Sequence, residues 1–255
     1  MSIKEAFINT IEEGYKFKGP SIVLGGAMYD KTPITGLHVR LPLATFNRHG
    51  LIAGATGTGK TKTLQILAEQ LSREGVPSLV MDIKGDLSGI AKPSPGHPKI
   101  DERHQMIGLP FTPSGSPVEF LSLSHEPGAR LRATVAEFGP VLLSKILGLN
   151  DTQSGIMAVV FKFAEDNDMP LLDLNDLKKT LQYLANEGKA EFSKQYGTFS
   201  SASLGAIMRR IVELEQQDAE LFFGEPSFEV DDLLRVDENG RGIVHVLRVT
   251  DIQDR

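Results

Sequence analysis

The sequence from residue 51 to residue 61 reads Leu51-Ile52-Ala53-Gly54-Ala55-Thr56-Gly57-Thr58-Gly59-Lys60-Thr61. Gly54, Gly59, Lys60 and Thr61 fit the pattern G-x-x-x-x-G-K-[ST]. In that pattern backbone N–H groups surround the phosphates of a nucleotide, the lysine reaches the β- and γ-phosphates, and the threonine hydroxyl holds Mg²⁺. The stretch is therefore predicted to be a phosphate-binding loop.

The residues on either side of this loop have the patterns that such a loop requires. Residues 50–53 form a short apolar run, which predicts a buried parallel strand. After the loop an apolar stripe with helical spacing ends at Gly75 and contains Leu64, Leu67, Ala68 and Leu71. A helix is therefore predicted to begin at Lys60 and Thr61, with its free N–H groups and its positive dipole end directed at the phosphates.

The predicted ligands are ATP and Mg²⁺. ATP is favoured over GTP because the sequence contains no Asn-Lys-x-Asp stretch to read guanine. Lys60 is the predicted catalytic residue of the loop, and Thr61 is a predicted metal ligand. The predicted nucleotide-binding residues are Gly54, Ala55, Thr56, Gly57, Thr58, Gly59, Lys60, Thr61 and Lys62.

A second acidic candidate follows the next apolar run. Residues 78–83 are predicted to form a second buried strand in a βαβ arrangement, which places Asp82 at its carboxyl end. Ligands of doubly wound sheets bind at that edge, so Asp82 is predicted to be catalytic and to hold Mg²⁺ with Thr61. The alternative is an aspartate that caps the following loop. Residues 84–86 are expected to border the same crevice.

Residues 236–238 resemble an apolar run followed by a catalytic Asp-Glu pair. Arg235 interrupts that run, and Asn239-Gly240 forms a turn signal directly after it. We therefore interpret Asp237 and Glu238 as part of a solvated turn.

Two further sites have a functional and a structural interpretation. Arg209 and Arg210 could reach the nucleotide of a neighbouring subunit, but a solvated helix face that pairs with Glu213 is the better interpretation. His49 could contact a base or a neighbouring loop, although a lone histidine at such a position is usually structural.

Composition excludes several classes of protein. The 255-residue chain has 40% apolar and 24% charged residues, as in ordinary globular proteins, and no cysteine, which excludes disulfides and Cys-based zinc sites. No apolar run has the length of a membrane span, and no signal peptide is visible, so we expect a soluble, cytoplasmic protein. The net charge is −6, but residues 1–100 carry 12 Lys and Arg against 8 Asp and Glu, which is weak evidence for a DNA-binding face.

The order of patterns predicts an α/β fold, a P-loop NTPase (RecA-like) parallel sheet flanked by helices, with a helical insertion and a short β lead-in. The predicted domains are a β-rich lead-in (1–45), the first part of the NTPase core (46–127), the insertion (128–222) and a return to the core (223–255). The predicted strands outside the loop region span 21–25, 36–41 and 242–249, and the predicted insertion helices span 129–147, 152–166, 175–187 and 201–217. Residues 85–117 are predicted to be an irregular connection because of their many Gly, Pro and Ser residues.

The sequence resembles the YjgR-like branch of the HerA/FtsK ATPases. The resemblance covers nearly the whole chain from about residue 20, and its motifs lie at residues 47–61, 82–89, 147–153, 203–210 and 222–226. It implies a RecA-like ATPase core that assembles into hexameric rings and pumps or unwinds double-stranded DNA. It also implies that the Asp-Glu strand, the glutamine-bearing sensor strand and the arginine finger of the family would follow Arg255, so that the chain is a truncated form.

The resemblance leads to three functional hypotheses. The first is the ATP-binding core of a DNA-translocating or helicase-type motor that hydrolyses ATP to ADP and phosphate. The second is a nucleotide-gated binding module that organises a complex with a partner such as a nuclease and moves no DNA. The third, a phosphotransferase, lacks an evident acceptor pocket. No membrane partner is expected.

Overall fold

The computed structural model describes residues 1–251, which divide into two compact units. The first unit comprises Met1–Phe120 and Asp231–Leu247, and the second comprises Leu121–Val230 and the segment that begins at Arg248. The predicted domain boundaries after residues 45, 127 and 222 stay predictions. The last four residues of the predicted 223–255 segment lie outside the described residues.

The first unit begins with a helix and a hairpin. Its regular elements before residue 110 are α1 (Ile3–Gly14), β1 (Ser21–Tyr29), β2 (Thr32–Pro42), α2 (Lys60–Arg73), β3 (Ser78–Asp82) and α3 (Pro98–Ile107). A capping box formed by Ser2 and Glu5 starts α1. β1 and β2 pair antiparallel with Tyr29 opposite Thr32, so the predicted lead-in hairpin is present with a two-residue turn.

A four-stranded parallel sheet has the order β3-β6-β4-β5. Its further strands are β4 (Val118–Ser122), β5 (Ala129–Arg130) and β6 (Val244–Arg248). Four of the five β6 residues are fully buried, as expected for a central strand of a parallel sheet. The predicted α/β class, a parallel sheet flanked by helices of the P-loop NTPase kind, is confirmed.

Helix α2 packs on this sheet through a small apolar core. Ala68 of α2 lies in one buried cluster with Val244 and Val246 of β6, and Val80 of β3 packs against the same cluster. The helix is therefore fixed against the central strand.

The second unit is mainly helical. Its helices are α4 (Val135–Ile146), α5 (Asp151–Asp166), α6 (Leu174–Ala185), α7 (Lys189–Tyr196) and α8 (Ser201–Glu215). Capping boxes at Thr134, Asn150 and Asp173 start α4, α5 and α6, and Ser200 caps α8. Gly139, with φ 76° and ψ 162°, interrupts α4 with a kink.

The core of the second unit joins these helices. An apolar stripe on α8 is buried through Leu204, Ile207 and Ile211, which pack with residues of α5 and α6 such as Val160 and Leu177. This stripe is therefore part of the core of the second unit. Within residues 1–251, no helix is both long enough and apolar enough to cross a membrane.

The prediction of a strand over residues 50–53 is wrong. These residues have no regular structure, and Leu51 is 90% exposed and Ile52 38% exposed. A strand needs a neighbouring strand to accept its backbone hydrogen bonds, and residues 1–251 offer no backbone partner to this run. An apolar run alone did not decide the local conformation.

Three local predictions in the connections also need correction. Residues 85–117 are not wholly irregular, because α3 lies within them with the side chain of His97 as its N-cap, Pro98 in its first turn and Gly108 as its left-handed C-cap. α4 begins at Val135 rather than at residue 129, and α7 was not predicted.

Candidate functional site

The phosphate-binding loop enters α2 through two glycines with left-handed backbone angles. Gly57 has φ 80° and Gly59 has φ 95°, which are angles that side-chain-bearing residues rarely adopt. Gly59 is the N-cap of α2 and provides no side-chain cap. The predicted start of the helix at Lys60 is confirmed.

The first turn of α2 presents free backbone donors. The first hydrogen bond of the helix runs from the Thr63 N–H to the Gly59 carbonyl at 2.9 Å. The N–H groups of Lys60, Thr61 and Lys62 therefore precede the helical ladder and have no backbone partner in the described part of the chain. Donors of this kind, together with the helix dipole, favour an anion at this position.

The carbonyl of Ala55 organises the polar side chains of the loop. The Lys60 ammonium donates to this oxygen at 2.7 Å, and the Thr58 hydroxyl donates to it at 2.8 Å. A side chain at Gly54 would come within 2.5 Å of the Thr58 hydroxyl oxygen and would displace that hydroxyl from its present position. Residues 51–59 are all exposed, so the loop is open to a ligand.

The hydroxyl of Thr61 is available to a ligand at the start of α2. Its side chain lies on the first turn of α2 and forms no hydrogen bond within residues 1–251. A hydroxyl at this position is therefore free to take part in cation binding, as the motif predicts.

Asp82 is fully buried at the carboxyl end of β3 and binds the loop that follows it. Its carboxylate accepts hydrogen bonds from the Asp86 N–H at 3.1 Å, the Leu87 N–H at 3.2 Å and the Ser88 hydroxyl at 3.1 Å. These contacts are those of the loop-capping alternative. The role of Asp82 as a catalytic residue and a metal ligand stays a prediction.

Gln65 connects α2 with this loop. Its side-chain amide donates to the carbonyl of Asp86 at 2.7 Å and accepts from the Lys62 ammonium at 2.8 Å. The connection brings Asp86 beside the first turns of α2, and the shared crevice stays a prediction. No local sequence pattern marks Gln65 as a contact residue, because its partner lies 21 residues away.

Two contacts hold the far end of α2. The buried Ser72 hydroxyl donates to the Gly242 carbonyl at 2.6 Å, and the Gly242 N–H donates to the Ser72 carbonyl at 2.8 Å. A side chain at Gly242 would lie 2.2 Å from the backbone of Val76, so this approach requires glycine. The helix that begins at the phosphate-binding loop is thus fixed at both ends.

A buried histidine lies in the central strand of the sheet. His245 of β6 is fully buried, and its Nδ1 lies 3.1 Å from the carboxylate of Glu119, which also pairs with Arg235. Burial lowers the pKa of His245, and Arg235 acts in the same direction, while Glu119 and Asp232 oppose them. Burial in the sheet therefore favours the neutral form of His245.

The other candidate residues from the sequence lie in a turn, on an exposed helix face or at an exposed position before the loop. The Asp237 carboxylate accepts from the N–H groups of Asn239 and Arg241, which lowers its pKa and places it in the predicted turn. Arg210 pairs with Glu213 at 2.8 Å on an exposed helix face, as predicted. His49 is exposed. No group of three or more His, Cys, Asp or Glu side chains within residues 1–251 could hold a metal ion.

The comparisons with known proteins identify a family. A family model described as the helicase HerA-like C-terminal domain matches residues 29–254, which include the phosphate-binding loop and most of each unit. A search among curated proteins finds no match.

Proposed function

The chain belongs to the helicase HerA-like C-terminal family, and on that premise we propose that it is the ATP-binding core of a HerA-type P-loop ATPase. In this proposal the Lys60 ammonium binds the β- and γ-phosphates, and the Thr61 hydroxyl binds Mg²⁺. The backbone N–H groups of Gly57 and of residues 59–62 bind phosphate oxygens. Residues 54–56 shape the loop around them.

The observation that carries the proposal is the uncapped start of α2. Two left-handed glycines lead into a helix whose first three N–H groups have no backbone partner within residues 1–251. An exposed set of donors beside a lysine ammonium fits a polyphosphate better than a neutral ligand, because both the dipole and the charge favour an anion. Mg²⁺ would supply further neutralisation of phosphate charge when bound.

Asp82 fits a supporting role better than direct contact with Mg²⁺. A carboxylate has about four acceptor positions. In Asp82, three of these positions accept hydrogen bonds from residues 86–88. We propose that Asp82 fixes the 82–88 loop against α2 and acts on the Mg²⁺ site through that loop. The exposed Lys84 and Asp86 would then border the nucleotide.

We propose further that the protein is part of a motor in the cytoplasm. HerA/FtsK-type ATPases are a motor family, and we propose that this protein hydrolyses ATP to ADP and phosphate, forms a hexameric ring and moves or unwinds double-stranded DNA. The alternative is a nucleotide-gated module that organises a partner such as a nuclease without moving DNA.

ATP turnover with and without double-stranded DNA separates the two. A motor predicts turnover that DNA stimulates and that Lys60→Ala abolishes. Turnover that DNA leaves unchanged, with partner binding that a non-hydrolysable ATP analogue supports fully, would contradict the motor and favour the module. The exposed Lys92→Ala provides the control for an unrelated lost charge.

A further inference from the structure

The first unit contains a cavity of about 810 Å³ that lies away from the phosphate-binding loop. Its walls are β1, the second half of α2, and α3 with the segment that follows it. None of the predicted nucleotide-binding residues 54–62 lines it, and Asp82 does not line it. It is therefore a separate candidate site.

The inner surface of the cavity is apolar. Its size is within the range of pockets that hold small molecules, about 300–1,000 Å³. The rings of His104 and Phe111, whose centroids are 4.9 Å apart, form part of the wall. The aliphatic part of the lining includes Val23, Ile66, Ile107 and Leu109. Such a lining accommodates a hydrocarbon or aromatic body.

The charges that line the cavity are predominantly positive. Lys31, Lys99 and Arg103 are exposed and have no ion-pair or side-chain hydrogen-bond partner within residues 1–251. Arg73 is neutralised by Glu69, and Glu102 is the one lining carboxylate that remains. Three free cations against one free carboxylate favour an anionic ligand.

Lys31 occupies a backbone position that does not suit lysine. Asp30 and Lys31 form the two-residue turn of the β1–β2 hairpin with φ 45° and φ 62°. Turns with positive φ at both central residues favour Asn-Gly or Asp-Gly, so a lysine here has a strained backbone conformation. The strained turn places an ammonium group at the cavity.

We propose that this cavity binds an organic anion, an apolar body that carries a carboxylate or a phosphate, independently of the nucleotide loop. The apolar body lies against the wall formed by Ile66 and Phe111, and the acidic group faces Lys99 and Arg103, with Lys31 at the hairpin end. The proposal goes beyond ATP binding and does not depend on it.

Ligand binding can be followed with a tryptophan in the cavity wall. The chain has no tryptophan, so Phe111→Trp provides a single reporter, and Phe17→Trp, which does not line the cavity, provides the control reporter. The probes are decanoate and decyl phosphate, each below its critical micelle concentration, and the neutral 1-decanol below its solubility limit. We expect saturable changes with decanoate or decyl phosphate in the cavity reporter alone, and binding of decanol that is weaker by about fivefold or more. The stronger of the two anions identifies the acidic group.

Charge variants test the same cavity, and calorimetry on the chain without a reporter gives a second measurement. Lys99→Gln with Arg103→Gln should weaken anion binding about tenfold or more, while Lys92→Gln should not. Lys31→Gly should weaken binding and at the same time keep or raise the unfolding temperature, because it relieves the turn. Lys60→Ala should leave binding unchanged. Equal affinity for decanol, no effect of the double variant, loss of binding in Lys60→Ala, or no saturable binding in either measurement would each overturn the proposal.

Discussion

The side chain of Gln70 binds both backbone polar groups of Val23. Its amide oxygen accepts the Val23 N–H at 2.7 Å, and its amide nitrogen donates to the Val23 carbonyl at 2.5 Å. A glutamine of α2 thus takes the place that a neighbouring strand would otherwise take beside β1. The contact fixes the hairpin to the helix that begins at the phosphate-binding loop.

Loss of this contact should destabilise the first unit. Gln70→Ala leaves a partly buried N–H and carbonyl without a partner, which costs about 1–3 kcal/mol of the free energy of unfolding. Chemical denaturation measures it, with Gln105→Ala on the exposed face of α3 as the control. An unchanged midpoint for Gln70→Ala would show that the hairpin is held by other contacts.

Gly59 should be sensitive to a single added methyl group. With φ 95°, Gly59→Ala forces a side-chain-bearing residue into a strained conformation at a cost of about 1–3 kcal/mol and should weaken ATP binding. Gly89→Ala is the matched control, because a Cβ there meets no atom within 4 Å and its φ lies outside the left-handed range. If both variants bind ATP like the wild type, the conformation of the loop is not what binds the nucleotide.

Asp82 can be tested for its two roles separately. Asp82→Ala removes the acceptor of three hydrogen bonds and should lower the free energy of unfolding by about 2–4 kcal/mol, whereas the exposed Asp86→Ala should change it by less than about 0.5 kcal/mol. The gain in ATP affinity on adding Mg²⁺ measures the metal role. We expect Thr61→Ala to reduce this gain more than Asp82→Asn does. The reverse order would assign Mg²⁺ to Asp82 directly.

Because His245 is buried, we expect the folded protein to lose stability in acid. Because burial lowers the pKa of His245, the unfolded chain binds a proton more readily than the folded chain. The contribution of neutral His245 is therefore complete above the unfolded pKa of about 6.5 and is lost as the pH falls below it. Unfolding free energies between about pH 7.5 and about pH 5 should fall less steeply in His245→Asn than in the wild type, by at most about 1.4 kcal/mol per pH unit. His49→Gln should keep the wild-type slope, and an unchanged slope in His245→Asn would contradict this account.

Local patterns predicted the elements whose signals lie within a few residues. The start of α2 at Lys60 followed from the motif, because its glycines and the apolar stripe after it specify a turn and a helix together. Three of the four insertion helices, α5, α6 and α8, lie close to their predicted spans, because their apolar residues recur with helical spacing. α3 was missed although Pro98 and Gly108 mark its ends, because the many prolines around it concealed a helix of 10 residues.

Features that depend on distant partners could not be predicted. The run at residues 50–53 has strand composition, but composition does not provide a neighbouring strand. The partners of Gln70 and Ser72 lie 47 and 170 residues away in the sequence, so no local pattern identifies these side chains as anchors of α2. The hydrogen bonds that the Asp82 carboxylate accepts likewise depend on the conformation of the loop that follows it.

The affinity of the protein for Mg²⁺-ATP, measured by calorimetry in the wild type, Lys60→Ala and Lys92→Ala, tests the central assignment most directly. Loss of the Lys60 ammonium removes a charge-assisted contact worth about 1.5–3 kcal/mol, so we expect affinity to fall about tenfold or more, with Lys92→Ala equal to the wild type. Equal affinity of Lys60→Ala and the wild type would contradict the assignment of residues 54–62 as the nucleotide site.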